Sequence, residues 1–237
     1  MKKVISILLL GLAAAFILPA QATPTPISTT MSLDTVYAGY TPDGSAPWLT
    51  ATFTSEVGSS TGTLTLTSHL SSGDFVQGAN GVTGWGFYLD SATFPFTITS
   101  CTGTCPDTTW QYSIGQQGPV PGTFNLGFGW VSGNRFNAGD TATFNISFTG
   151  ESGLQGSPFL FNEYGINSYS HIQGISGNPT CSGYVISENG NTNIPTSGLY
   201  GSCSATNVPE PNDLGMFGIG VLLIGIFLGL NRRRLFS

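Results

Sequence analysis

The chain is 237 residues long and carries twelve acidic side chains against six basic ones, a formal charge of −6. Between Thr23 and Asn207 ten carboxylates face the single cation Arg135, a formal charge of −9 over that stretch. A phosphate backbone is held by clustered Lys and Arg, so nucleic-acid binding is excluded, and the length suits one domain, with room for a small extension.

Met1 to Ala22 has the three parts of a secretory signal. Lys2 and Lys3 form the positive start, Val4 to Leu18 the apolar run, and Ala20-Gln21-Ala22 the small-x-small site that signal peptidase reads. A retained anchor is the other reading. The apolar run is short for a membrane span, which needs roughly 20 such residues, so cleavage after Ala22 is expected.

From Thr23 onward the chain is rich in Gly, Ser, Thr and Asn, and it alternates. Trp48 to Thr54, Thr63 to Thr67, Phe94 to Thr99, Thr123 to Trp130 and Thr141 to Phe148 each have period two. Such a period puts one face in a core and the other in water. The water face is mostly hydroxyl, and β-branched Thr suits a pleated strand. Turn clusters separate the runs: Pro42-Asp43-Gly44, Ser71-Ser72-Gly73-Asp74, Gly78-Ala79-Asn80-Gly81, Ala138-Gly139-Asp140 and Ser176-Gly177-Asn178-Pro179. Their residues tolerate positive φ or preset a turn. About ten short strands predict an all-β fold, an antiparallel β-sandwich of jelly-roll type, with a closed barrel as the alternative. Trp85, Phe87, Trp110, Phe124, Phe128, Trp130, Phe144 and Phe148 are expected in its core, an aromatic sugar platform being the rival use of such side chains.

Four cysteines, Cys101, Cys105, Cys181 and Cys203, lie in a chain bound for an oxidising compartment, where an even count reads as disulfides. Three pairings are formally open, and Cys101–Cys105 with Cys181–Cys203 closes the shortest loops. A four-thiolate zinc site would usually need C-x2-C spacing, which is absent. Gly58-Ser59-Ser60-Thr61-Gly62 matches the G-x-S-x-G pattern, but that motif sits between a strand and a helix. Here a Thr/Leu strand follows, and neither His69 nor His171 has a spacing that argues for a triad. No spacing among the carboxylates singles out a glycosidase pair. No cofactor is expected: a calcium site lacks any D-x-D-x-D-G loop, and Asp43, Asp74 and Asp140 read equally well as turn formers. Asn145-Ile146-Ser147 is a glycosylation sequon in form only, since it falls inside a predicted strand.

After a linker from Val208 come Pro209-Glu210-Pro211, then Leu214 to Leu230, built only of Leu, Ile, Val, Phe, Met and Gly, and then Arg232-Arg233-Arg234. As a helix of ~1.5 Å rise per residue the apolar run spans about 25 Å, just short of a hydrocarbon core. It has no polar face, which a core helix at a water boundary would show, so a C-terminal transmembrane helix is expected. Basic flanks stay on the cytoplasmic side, and both ends therefore leave the domain between them outside.

The Pro-Glu-Pro box, apolar helix and arginines, in that order behind a signal peptide, resemble a PEP-CTERM sorting signal. The resemblance covers about the last 30 residues. It implies sorting by an exosortase, a membrane-embedded cysteine protease-like enzyme of Gram-negative bacteria that also make exopolysaccharide. Pro209, Glu210 and Pro211 would be the recognition box, and Arg232, Arg233 and Arg234 the cytoplasmic stop. Upstream, Ser170 to Ile175 followed by Cys181 to Val185 resembles strand pairs that recur before such tails. The expected protein is a non-enzymatic surface or matrix protein, with signal peptidase and exosortase as processing partners and exopolysaccharide as a candidate ligand. A membrane-anchored precursor would precede the surface or extracellular form. A secreted carbohydrate-binding or carbohydrate-active protein, and a plain tail-anchored protein, are the alternatives.

Overall fold

The computed structural model describes residues 23–78, 83–90, 95–149 and 153–190, except the side chains of 112–117. Ala20, Ala22, Cys203, the Pro-Glu-Pro box, the apolar run and the arginines lie outside these residues. Among the described residues no helix is long and apolar enough to cross a membrane.

The described residues form thirteen strands, all paired antiparallel, and one 3-10 turn, Ile175–Gly177. β1 (Pro26–Leu33), β3 (Leu49–Glu56), β4 (Thr61–Ser68), β11 (Thr141–Phe148) and β7 (Phe96–Gly103) make a five-stranded sheet in the order β1-β3-β4-β11-β7. The other sheet runs β10 (Phe136–Asn137), β5 (Phe75–Val76), β12 (Ile166–Gln173), β6 (Trp85–Phe87), β9 (Val120–Gly129), β8 (Thr108–Gln117). Off that path, β13 (Ser182–Glu188) pairs with β12 and with β2 (Thr35–Gly39). The fold is all-β with antiparallel sheets, an arrangement compatible with a β-sandwich.

Alternation in the five-stranded sheet is strict where the sequence alternates. Met31, Ala51, Leu66 and Ala142 form one inward row across four strands, and Phe53, Leu64 and Phe144 form the next. Rings join the two sheets. Phe128 of β9 stacks on Phe144 of β11 at 4.2 Å, and Phe159 touches both Phe53 and Phe87. Each such ring, fully buried, contributes roughly 1.5–3 kcal/mol through apolar area removed from water.

Of the expected core aromatics, one is not fully buried and another lies in a second core cluster. Trp110 is only half-buried; its ring lies against Gly129 of the neighbouring strand, where a Cβ would collide with it. Phe124 is buried, but against Tyr169 at 4.4 Å in a second, smaller cluster with Tyr37, Val120, Ile166 and Ile186. Both depend on how β8 and β9 align, and that pairing shifts register between Gln111 and Gly115 and again before Gln117. A period-two reading of one strand carries no information about a neighbour's bulges.

Three buried side chains of the second sheet, Trp85, Ser168 and Ser170, find partners within it. Trp85 Nε1 donates to Ser168 Oγ at 2.9 Å, Ser168 Oγ donates to Gly86 O at 3.0 Å, and Ser170 Oγ to Gly84 O at 2.9 Å. Asn125 accepts from Leu89 N at 2.8 Å and donates to Leu89 O at 2.6 Å, extending the ladder one step beyond β6.

Candidate functional site

The chemical candidates separate in space. Ser60 ends the turn between β3 and β4, and β4 follows at once, so the strand-to-helix elbow of a hydrolase nucleophile is not formed. His69 stands past the far end of β4, roughly 30 Å away at the rise of an extended chain. Its Nε2 is 3.0 Å from Thr50 Oγ1. His171 belongs to the other sheet. Its ring stacks on Tyr184 at 4.4 Å, and burial pushes its pKa down to about 4. Gln173 Nε2 lies 3.4 Å from its Nδ1 and also donates to Gln77 O at 3.3 Å, an arrangement suited to a neutral imidazole.

The carboxylates hold turns together. Asp43 N donates to Asp74 Oδ2 at 2.9 Å, while Ser176 N and Ser176 Oγ donate to Asp43 at 2.9 and 3.2 Å. Three of the turn clusters are thus clasped at one place. Asp74 is 1% exposed and its Oδ1 has no hydrogen-bond partner. Burial, and less strongly the nearby Asp43 charge, pushes its carboxyl above the usual range, against the pull of the Asp43 N–H. A carboxylate so enclosed offers no access to a glycosidic bond. Asp140 Oδ2 accepts from Asn137 N at 2.7 Å, closing its own turn. Among the described residues no three His, Cys, Asp or Glu gather where they could hold a metal ion.

Cys101 and Cys105 are bonded to each other, with Cα atoms 5.9 Å apart. Cys181 is also in a disulfide and buried. The zinc alternative therefore lacks its thiolates.

Among the described residues a groove lies on the outer face of the five-stranded sheet, beside the β3–β4 turn, with a volume of about 690 Å³. Thr54, Ser55, Glu56, Ser59, Thr61, Thr63, Thr99, Asn145 and Ser147 supply its polar lining, with Gly62 and Ile146 beneath. Its two central groups are preset: Asn145 donates to Ser100 Oγ at 2.8 Å, and Ser59 Oγ donates to Thr61 O at 2.9 Å. Among the described residues the lining holds one carboxylate, no cation and no aromatic ring. Comparison with family models, characterised proteins and solved structures gives no match. The groove's own chemistry is therefore what bears on a ligand.

That face is ordered beyond the groove. Thr30, Thr52, Thr65, Thr143 and Thr102 stand opposite one another across all five strands. The next rank is Ser28, Thr54, Thr63, Asn145 and Ser100, and on the other side Ser32, Thr50, Thr67 and Thr141. The alternating Thr in each strand signals a hydroxyl face. Which hydroxyls meet depends on register, and nothing in the sequence sets the groove residues Glu56 and Ser59 apart as ligand-binding.

Proposed function

We propose that the chain is an exported, non-enzymatic surface or extracellular-matrix protein whose C-terminal PEP-CTERM-like tail directs its sorting. The observation that carries this reading is the pairing of Lys2-Lys3 with an apolar run and of a second apolar run with Arg232-Arg233-Arg234, which places the stretch between them outside. The domain would be a jelly-roll-like sandwich, and its second disulfide Cys181–Cys203. The groups that could do hydrolytic chemistry support a non-catalytic role: Ser60 ends a hairpin turn, Asp43 and Asp74 clasp loops, and His171 is packed against Tyr184.

Peptide mapping of surface-fraction protein from a host with an active exosortase tests the reading. The expected result is a chain that ends near Pro209-Glu210-Pro211. Leu214 to Ser237 retained in most molecules would show an ordinary anchor instead, and a Glu210→Ala variant that matures normally would show that the box is not read. The carbohydrate-binding alternative is favoured by one observation, the hydroxyl-lined groove.

A further inference from the structure

We infer that the groove beside the β3–β4 turn binds a neutral polysaccharide chain, which continues from it over the threonine ranks. This deepens the surface-protein reading and rests on it only for where the polymer is met. The volume, about 690 Å³, lies within the roughly 300–1,000 Å³ typical of small-ligand sites. The lining selects the ligand class. Its described lining offers no Lys or Arg to a phosphate, sulfate or uronate, and Glu56 would repel one. A lone carboxylate does not make a site for a basic peptide. With Ile146 as the one large apolar side chain in the lining, and that one buried, a lipid gains little. Hydroxyls that both donate and accept, with an amide that does the same, match a ligand with the same inventory: a polyol without charge.

The surroundings say that the ligand is a polymer. The groove is open, and its Thr54, Thr63 and Asn145 belong to a rank that runs from Ser28 to Ser100 across all five strands. A repeating row of one functional group suits a ligand that repeats. Strand propensity and cross-strand pairing account for threonine as a residue type. They do not account for the placement of charge. Ten carboxylates lie between Thr23 and Asn207, yet none stands in these three ranks, and the edge strands β1 and β7 carry no charge where natural sheet edges usually do. Exchanging water for sugar hydroxyls leaves a small net gain per contact. Binding is therefore weak per groove and is strengthened when many copies meet one polymer.

The test is affinity electrophoresis of the full exported protein in native gels containing dextran, hydroxyethyl cellulose or a galactomannan. Alginate serves as the polyuronate control. Retardation is expected in at least one neutral gel and not in alginate. Thr63→Lys with Asn145→Lys should weaken that retardation about tenfold, while Glu56→Gln leaves it in place. Thr63→Val with Asn145→Leu removes the hydrogen bonds without adding charge and should weaken it likewise. The melting temperature of each variant shows that the fold is kept. Free migration through all three neutral polymers, stronger retardation by alginate, or wild-type retardation by the Val/Leu variant would overturn the inference. A retained C-terminal tail would count against the sorting reading alone.

Discussion

His171 and Asp74 show how burial of a titratable group becomes a stability effect, with opposite signs. His171 is held near 4 in the folded chain against 6.5 unperturbed. Between those values the unfolded chain takes up a proton that the folded one does not, so stability falls on acidification from about pH 6.5 to 4 and then levels off. The loss is at most about 3 kcal/mol. Asp74 has its folded pKa raised above 3.8, so over its own window the folded chain binds the proton first and acidification is stabilising. Urea titrations from pH 4 to 7 should therefore show a steeper acid loss in wild type than in His171→Phe. Parallel curves would mean that His171 is not buried neutral. Asp74→Asn keeps an acceptor for the Asp43 N–H and removes the buried charge, so it should leave stability at pH 7 unchanged or higher. Asp43→Ala releases two donors of Ser176 and should cost about 2 kcal/mol; an unchanged urea midpoint would show that the clasp contributes nothing.

At the scale of elements, the chief local constraint is the Cys101–Cys105 bridge at the end of β7, whose loop is held again by Trp130 Nε1 donating to Thr104 O at 2.9 Å and Asn134 Nδ2 to Cys105 O at 2.9 Å. A loop this short removes little chain entropy, about 2 kcal/mol. Cys101→Ser with Cys105→Ser should lower the melting temperature by about 4–8 °C; a larger drop would mean that the bridge orders β7 and β8 beyond its own loop. Close approach of elements is tested at Gly86 in β6. A Cβ there would run into the ring of Tyr169 across the strand pair. Gly86→Ala should destabilise by about 1–3 kcal/mol through overpacking, and a neutral result in thermal melts would place the ring elsewhere. The strict alternation of β4 and β11 made those strands and their faces readable in advance. β5, β6 and β10 are two or three residues long, too short for any period, and exist because longer neighbours offer them a ladder.

For the whole molecule, the proposal of export rests on the two basic flanks and the apolar runs beside them, around a stretch of charge −9 between Thr23 and Asn207. The mature protein should begin at Thr23, and intact mass of exported material that still includes Lys2 and Lys3 would refute this. The apolar run Leu214–Leu230 contains Gly215, Gly218, Gly220, Gly225 and Gly229. Each costs about 1 kcal/mol relative to Ala in a helix in water, a weakness that suits a transient protease substrate better than a permanent anchor.

By itself the sequence determined the all-β class and the hydroxyl outer face, and it put Cys101–Cys105 among the open pairings as the one closing the shortest loop. All of these rest on period, composition or short separation, which a single chain displays directly. Tertiary structure decided what depends on register between distant strands. It set Thr30, Thr52, Thr65, Thr143 and Thr102 in one rank, moved Phe124 into a second cluster and brought Asp43, Asp74 and Ser176 together from three turns. It also placed Glu56, Ser59 and Asn145 around one groove. Asn145 is remote in sequence from the other two, and no local propensity records which strand a given strand will meet.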